Sequence, residues 1–352
     1  MSVIRELVRP HVADVPAYVT ARSEHSGGIL LDANENAFGS PIADDDAELH
    51  RYPDPANREL RRAIAGRLRI EPSRLWLGNG SDAAIDLLVR TLTEPGAPVA
   101  IPSPSYGVYA QRIQAQAGSI REFRLDESFD LDSVAAREAS LGAKLCILCS
   151  PNNPTGNLLS KERILNLLEN IDGVLAVDEA YIEFAGESFS LAREAGGTGA
   201  SERLVVIRTL SKAWGLAGAR VGYLVGSTEL VDAMDRVGLP YPLSALAAQA
   251  ALEALECESV VDERIARISA ERDRLREGLS GLGLRSLPSD ANFVCFFVPD
   301  ASRIQSRLAG RHGVVVRDRS RMPGLEGALR VTVGTPPEND AFLAALRQEL
   351  SA

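Results

Sequence analysis

Short apolar runs alternate with helical patterns along the middle of the chain. Four of these runs are "KLCILCS" (144–150), "GVLAVDEAY" (173–181), "RLVVIRTLS" (203–211) and "RVGYLVG" (220–226). Near-continuous apolar strands that are separated by crossover helices are typical of a mainly parallel sheet buried on both faces. The pattern therefore predicts an α/β fold.

One of the helical patterns lies between the first two runs. In "SKERILNLLEN", Ile164, Leu167 and Leu168 fall on one helical face, and Ser160 precedes them as a candidate N-cap. This spacing predicts an amphipathic helix that covers one face of the sheet.

The pattern also divides the chain into two parts. Residues 40–245 are predicted to form a large domain, in which helices cover the mainly parallel sheet. After "PYPLSALAAQAALEAL", a long helical region leads to "ANFVCFFV", "GVVVRD" and "LRVTVG", which predict strands of a smaller α+β domain. We expect residues 1–39 to pack against this second part, so that 1–39 and 246–352 form the small domain.

Composition limits the classes of function. The chain has 352 residues and a net charge of -10, which disfavours nucleic acids and anionic membranes as partners. "MSVIRELVRPHV" lacks the apolar core of a signal peptide, and no apolar stretch approaches the ~20 residues that span a bilayer. Four cysteines are too few for a disulfide framework at this length. We expect a cytoplasmic protein.

Polar residues follow the predicted strands at the points where the strands end. Because ligands of open α/β sheets bind beyond the carboxyl ends of the strands, these residues are the first candidates for a site. Run 173–181 contains Asp178 and Tyr181, and run 203–211 contains Thr209 and Ser211 and is followed by Lys212. The same edge of the sheet therefore receives an aspartate and a lysine.

Two further strand ends add an amide and an anion site. The turn "SPNNPTG" contains Asn153, and "GNGSD" follows a predicted strand and opens a helix. The free N–H groups of a helix N-terminus suit a phosphate.

One chemistry uses this set together. An uncharged lysine amine condenses with an aldehyde, and pyridoxal 5'-phosphate is the cofactor that makes the product an electron sink. Lys212 is the candidate amine, and Asp178 is the candidate carboxylate for the pyridine nitrogen. Tyr181 and Asn153 can donate to the phenolic oxygen, and Tyr106 of "PSPSYGVY" offers an aromatic face. Candidates for the phosphate are Gly80, Ser81, Asp82, Thr209, Ser211 and Arg220.

Several motifs of the chain occur in a familiar order: "LDANENAFG", "RYPDP", "GNGSDAAIDLL", "CSPNNPTG", "VDEAYIEF", "TLSKAWGLAGARVGY", "PYPLS" and "LRVTVGT". In this order they resemble the class I/II pyridoxal-phosphate-dependent aminotransferases and, within them, the histidinol-phosphate aminotransferases. The resemblance runs from about residue 8 to residue 335. It implies aminotransferase fold type I, with a large cofactor-binding domain and a smaller α+β domain.

The resemblance also implies roles for individual residues. Lys212 binds the cofactor covalently and, once released, carries the proton between the substrate Cα and the cofactor. The cofactor contacts come from Ser81, Asp82, Tyr106, Asn153, Asp178, Tyr181, Ser211 and Arg220. The family forms homodimers, in which the tyrosine of "RYPDP", here Tyr52, reaches the cofactor phosphate of the partner subunit.

The implied reaction converts L-histidinol phosphate and 2-oxoglutarate into imidazole acetol phosphate and L-glutamate, a step of histidine biosynthesis. Arg330 of "LRVTVG" matches the arginine that meets the α-carboxylate or the substrate phosphate. Arg317 of "VVVRD" and Tyr18 of "VPAYVT" match residues near the phosphate end. The family pattern "NENPYG" is here "NENAFG". Ala37 and Phe38 therefore stand in place of a proline, which fixes φ, and a tyrosine, which carries a hydroxyl, on the substrate side.

Alternatives remain open at this point. Within the cofactor class they are an aromatic amino acid aminotransferase and a lyase that resembles threonine-phosphate decarboxylase. A transcription regulator built on such a domain would need an N-terminal DNA-binding extension, and only about 40 residues precede the α/β domain. No metal site is predicted, because Cys146 and Cys149, three apart in a strand, would face opposite sides.

Overall fold

The computed structural model describes residues 3–13, 15–16, 33–36, 40, 48–197 and 199–351. Within these residues the strands form one sheet of seven and one of three. The strands of the large sheet are β1 (Leu75–Asn79), β2 (Pro98–Ser103), β3 (Ser119–Arg124), β4 (Leu145–Cys149), β5 (Val174–Asp178), β6 (Leu204–Thr209) and β7 (Val221–Val225). Those of the small sheet are β8 (Phe293–Phe297), β9 (Arg317–Asp318) and β10 (Ala328–Thr332).

Helices connect and cover these strands. They are α1 (Val3–Leu7), α2 (Pro10–Ala13), α3 (Arg58–Leu68), α4 (Gly80–Leu92), α5 (Val108–Ala115), α6 (Ser133–Ala139), α7 (Lys161–Glu169), α8 (Ile182–Ala185), α9 (Ala192–Gly196), α10 (Thr228–Val237), α11 (Ala245–Glu256), α12 (Glu258–Gly281), α13 (Ala301–His312) and α14 (Pro336–Leu350). No helix in these stretches of the chain is long and apolar enough to cross a bilayer.

The strand order of the large sheet is β1-β7-β6-β5-β4-β2-β3. The pairs β2–β3, β2–β4, β4–β5 and β5–β6 are parallel, whereas β7 is antiparallel to both of its neighbours, β1 and β6. The predicted α/β fold with a mainly parallel sheet is confirmed. The carboxyl ends of the parallel strands meet at one edge, and β7 begins at that edge.

Alternating side chains place the two faces of the sheet in separate cores. On β4, Cys146 and Leu148 belong to the core that includes Ile164 of α7, whereas Ile147 and Cys149 belong to the core that includes Ile85 of α4. A strand period of two requires this separation. The two cysteines therefore face opposite sides of the sheet, as predicted.

Local sequence accounts for helix α7. The Ser160 hydroxyl accepts a hydrogen bond from the Arg163 amide (3.4 Å), and Ile164, Leu167 and Leu168 are buried. Burial of each such side chain contributes roughly 1.5–3 kcal/mol. The predicted N-cap and apolar face are both confirmed.

The small sheet has a core of its own. Phe296 of β8 packs there at 5.8 Å between ring centroids against Phe342 of α14. The 24-residue helix α12 connects the two cores, because Val261 is buried in the core of the large sheet and Leu279 in that of the small sheet. The predicted domain boundaries remain a prediction.

The first two helices lie elsewhere than expected. Ile4, Val8 and Val12 are buried in the core on the α4 side of the large sheet, whereas we expected the N-terminal segment to pack against the small domain. An apolar stripe on a helix indicates which face is buried, but not which partner covers it.

Candidate active site

A cavity of about 340 Å³ lies at the edge where the parallel strands end. Most of the predicted site residues line it: Ser81, Asp82, Tyr106, Asn153, Asp178, Tyr181, Thr209, Ser211, Lys212, Arg220, Arg317 and Arg330. Residues that were not predicted to belong to this site also line it, among them Arg319 and Cys149. Tyr18, Ala37 and Phe38 lie outside the described residues.

Asp178 is the last residue of β5, and its side chain is buried. The hydroxyl of Tyr109 donates to Oδ2 (2.8 Å), and the backbone N–H of Ala180 donates to Oδ1 (3.1 Å). Burial raises the pKa of Asp178 from 3.8 to about 6, against the opposing effect of the Tyr109 hydrogen bond. Such a carboxylate becomes fully ionised when a cation lies beside it.

Sequence reasoning missed Tyr109 as a site residue. It is the second residue of α5, is fully buried, and packs edge-to-face against the ring of Tyr106 in the preceding loop, with 5.5 Å between centroids. Burial raises its pKa well above the ordinary value, so the hydroxyl keeps its proton and remains a donor to Asp178. Tyr106 lies before α5 begins, so no helical period links the two tyrosines, and the sequence offered no signal for Tyr109 beyond its closeness to Tyr106 in the chain.

Lys212 follows β6, and its side chain faces the open cavity. Its Nζ lies 5.7 Å from the centroid of the Tyr181 ring. Partial burial by the cavity walls lowers the pKa of this amine, and the positive charge of Arg330 lowers it further. A lower pKa enlarges the uncharged fraction at neutral pH, and only the uncharged amine is a nucleophile.

An anion cradle forms where α4, the end of β6 and the start of β7 meet. Thr209 donates its hydroxyl to Ser211 Oγ (2.9 Å), and Arg220 Nη1 donates to the same oxygen (3.3 Å). Arg220 Nη2 lies 3.5 Å from Asp82 Oδ2 in the first turn of α4. The cradle therefore combines hydroxyls, a guanidinium and a helix N-terminus, which is the donor set of phosphate sites.

Two glycines allow this close approach. Gly80 has φ +79, and a Cβ on it would lie 2.5 Å from Arg220 Nη2. A Cβ on Gly222 of β7 would lie 2.2 Å from the Ser81 amide nitrogen. Any side chain at Gly222 would therefore push β7 away from the free N–H groups at the start of α4.

A hydrogen-bonded chain connects the large sheet with the small one. Asn153 Nδ2 donates to the Tyr181 hydroxyl (3.2 Å), and Arg330 Nη1 donates to Asn153 Oδ1 (2.5 Å). Phe293 of β8 packs edge-to-face on the Tyr181 ring, with 5.1 Å between the centroids. Residues of both sheets therefore form the cavity, and Phe293 is a contact that sequence reasoning missed.

A buried ion cluster fastens the segment that carries Tyr181. Arg208 of β6 is 1% exposed, and its Nη2 pairs with Glu183 Oε1 (3.0 Å) and Glu187 Oε1 (2.6 Å). Tyr181 directly precedes α8, which contains Glu183. Because breaking a buried pair costs about 3–5 kcal/mol, the cluster holds this segment against β6.

Tyr52 and Gly80 do not line the cavity as the other predicted residues do. Gly80 begins α4 and sits behind Arg220, as its close approach to that guanidinium requires. Tyr52 is 49% exposed and stacks on Tyr241 with 4.5 Å between centroids and 13° between planes.

Removing the hydroxyl of Tyr109 tests the support of Asp178. In Tyr109→Phe, the loss of a hydrogen bond to a charged group raises the pKa of Asp178, and we expect kcat at pH 6 to fall about tenfold. The deficit should shrink as the pH rises to 8, because a higher pH ionises Asp178 again. Profiles of kcat against pH for the wild type and the variant measure this, with Tyr223→Phe as a control that removes a buried hydroxyl elsewhere. Equal losses at pH 6 and pH 8 would contradict the assigned role.

A family model, a related sequence and a solved structure all relate this chain to aminotransferases. Residues 26–346 match the family described as aminotransferase class I and II. The histidinol-phosphate aminotransferase of Parabacteroides distasonis is 39% identical over 353 residues, which cover 99% of each chain. The crystal structure of histidinol-phosphate aminotransferase from Sinorhizobium meliloti in complex with pyridoxal-5'-phosphate is similar with a TM-score of 0.81 and 28% identity, over 91% of this chain and 89% of that one.

The same fold carries a different reaction in another solved structure. L-Threonine-O-3-phosphate decarboxylase from Porphyromonas gingivalis is similar with a TM-score of 0.76 and 25% identity, over 86% of this chain and 92% of that one.

Proposed function

The chain belongs to the class I and II aminotransferases, and on that premise we propose that it transfers the amino group of L-histidinol phosphate to 2-oxoglutarate. The observation that carries the proposal is the cavity in which Lys212, Asp178 and four arginines meet. The similarity to histidinol-phosphate aminotransferases over nearly the whole chain supports this substrate. The enzyme is a pyridoxal-phosphate-dependent transferase.

The residues present fit this cofactor. The cradle at Ser81, Ser211 and Arg220 supplies donors for a phosphate, and a Cβ on Gly222 would disturb it. A buried carboxylate at Asp178 suits a protonated ring nitrogen, because an opposite charge offsets the cost of burying both. Asn153 and Tyr181 would donate to the phenolic oxygen, and Tyr106 would cover the ring face.

When bound, the cofactor supplies a carbon that takes up the amino group and a ring that accepts the electrons left at the substrate Cα. Lys212 Nζ takes the proton that leaves the substrate Cα, and its lowered pKa enlarges the uncharged fraction that can do so. Asp178, fixed by Tyr109 and the Ala180 amide, keeps its charge against the ring nitrogen. Arg330 and Arg317 bind the anionic end of each substrate in turn.

The experiment compares amino donors with the purified, cofactor-loaded protein. We expect kcat/KM for L-histidinol phosphate to exceed that for phenylalanine or aspartate by about 100-fold or more, because a phosphate offers several acceptor oxygens to the arginines, whereas the side chain of phenylalanine offers none and that of aspartate a single carboxylate. Glutamate formed from 2-oxoglutarate is the measured product.

Two outcomes would redirect the proposal. A preference for phenylalanine would indicate an aromatic amino acid aminotransferase. Release of carbon dioxide from threonine phosphate without a need for 2-oxoglutarate would indicate a lyase, as in the similar decarboxylase.

The proposal includes a homodimer in which Tyr52 reaches the site of the partner subunit. Exposed apolar side chains near Tyr241 in the sequence support it, since Leu239 is 79% and Leu246 is 55% exposed, and Tyr241 stacks on Tyr52. A cytoplasmic location is also proposed, which the free state of Cys257 and the three other cysteines supports.

Mixing two impaired variants tests the shared site. Tyr52→Ala damages the partner's site, and Lys212→Ala damages its own, so a mixed dimer contains one intact site. After unfolding and refolding together in equal amounts, we expect about one quarter of the wild-type activity at limiting cofactor, since about half of the dimers are mixed. Each variant refolded alone is the control. Activity no greater than the average of the two controls would contradict a site built from two subunits.

A further inference from the structure

The cavity contains an arginine that was not predicted, Arg319, beside Arg317 and Arg330, which were predicted as substrate contacts. Arg317 and Arg330 face each other in the register of β9 and β10. Arg319 lies two residues after Arg317, and its N–H donates to Ala328 O (2.9 Å), which extends the pairing of the two strands by one residue. Residues two apart in an extended chain share a face, and all three arginines line the cavity.

The positive charge of this group is not balanced by the protein around it. Within the described residues, none of the three arginines forms an ion pair with a carboxylate. Burial lowers the pKa of Arg319, and the charges of Arg330 and Arg317 lower it further. Burial also lowers the pKa of Arg330, and the positive charge of Arg317 lowers it further. Three guanidinium groups therefore repel one another in a protein whose net charge is -10.

Two of these guanidinium groups have unused donors. The Nε atoms of Arg319 and Arg330 are buried and have no hydrogen-bond partner among the described residues. A buried charged donor without an acceptor is costly, and folded proteins satisfy nearly all such groups with protein, water or ligand. An oxyanion with several acceptor oxygens would supply both the partners and the opposite charge.

We propose that Arg319 binds the phosphate of the phosphorylated substrate and thereby sets the preference for a dianion over a single carboxylate. The inference rests on the proposed function, in which one site receives histidinol phosphate and glutamate in turn. A phosphate monoester carries nearly two negative charges at neutral pH, and a side-chain carboxylate carries one. Because Coulomb attraction scales with the product of the charges, a third guanidinium favours the phosphate more than the carboxylate.

The chain offers a matched control for this residue. Arg321 lies two residues further on, is exposed, and does not line the cavity. Replacing Arg319 or Arg321 by glutamine removes one positive charge from the same segment and keeps a side chain of similar polarity. Only the first replacement changes the cavity.

The experiment uses the cofactor-loaded enzyme and three amino donors: histidinol phosphate, histidinol without the phosphate, and glutamate. For Arg319→Gln we expect KM for histidinol phosphate to rise about 10- to 100-fold, which is the range for a lost charge-assisted contact, while kcat changes less than about threefold. KM for glutamate and for histidinol should change less than about threefold. Arg321→Gln should resemble the wild type, and Arg319→Lys should recover part of the loss because it restores the charge.

A binding measurement accompanies the kinetics. Inorganic phosphate at constant ionic strength should inhibit the wild type competitively, and about 10- to 100-fold more phosphate should be needed for Arg319→Gln. Equal weakening for glutamate and histidinol phosphate, or no weakening for either, would overturn the inference. A wild type that does not accept histidinol phosphate would overturn the proposed function instead, and a weaker inhibition by phosphate in Arg319→Gln would still support a dianion site there.

Discussion

Replacing Lys212 by alanine is expected to lower kcat by about 10⁴-fold or more. In the proposed function, the change removes both the amine that would hold the cofactor covalently and the base that would move the Cα proton. The other lining residues remain, so substrate should still bind. Steady-state rates at saturating substrates, compared with those of the wild type, give the size of the loss.

A chemical readout separates this role from a loss of folding. The chain contains three lysines, at positions 144, 161 and 212, so borohydride reduction of the loaded protein followed by peptide mass analysis is simple to interpret. The label should appear on the peptide that contains Lys212 in the wild type and should be absent in Lys212→Ala. Lys161→Ala, which breaks an ion pair with Glu194 outside the cavity, is the control and should still be labelled. A labelled, active Lys212→Ala protein would refute the assignment.

Replacing Asp178 by asparagine is expected to lower kcat by about 10²- to 10³-fold, the range for losing one buried electrostatic stabiliser in an active site. Asparagine keeps the shape and an acceptor for the Tyr109 hydroxyl, but it removes the negative charge. The affinity for the cofactor phosphate should change little, because the cradle at Ser211 and Arg220 is untouched. Rates and the concentration of cofactor for half-saturation are the two measurements.

The pH dependence of stability provides a second test of Asp178. Its pKa in the folded protein, about 6, lies above the unfolded value of 3.8, so the folded state binds more protons between these values. The stabilisation linked to this carboxyl is therefore present below pH 3.8 and is lost as the pH rises through 6. Melting temperatures of the cofactor-free protein from pH 4 to 7 should decline less in Asp178→Asn than in the wild type. Identical slopes would show that the carboxyl is not buried as described.

The site residues at the edge of the large sheet were predictable because each strand is an apolar run that polar residues follow. The run 173–181 is apolar up to Asp178, and β5 indeed ends at that residue. Tyr181 lies beyond the strand and directly before α8, although the run reads as one strand through it. Strand propensity alone does not separate the end of a strand from the start of a short helix.

Contacts between distant segments were not predictable in the same way. Phe293 looks like an ordinary core residue within "ANFVCFFV", and its contact with Tyr181 depends on how the two sheets are placed. Arg319 was open to prediction through its spacing from Arg317, but a period of two in a short strand is a weak signal. The position of the N-terminal helix with Ile4 was also missed, because an apolar stripe does not show which part of the protein will cover it.

Because β7 is antiparallel to β6, a single loop at the cavity edge joins the end of β6 to the start of β7. Lys212 and Arg220 both stand on the connection between β6 and β7, which is braced by hydrogen bonds from Gly215 N to Lys212 O (3.1 Å) and from Leu216 N to Leu210 O (3.0 Å). In the proposed function, this one loop therefore sets the distance between the amine that meets the aldehyde and the guanidinium that meets the phosphate of the same small molecule. Lengthening this loop by a single residue would alter that distance.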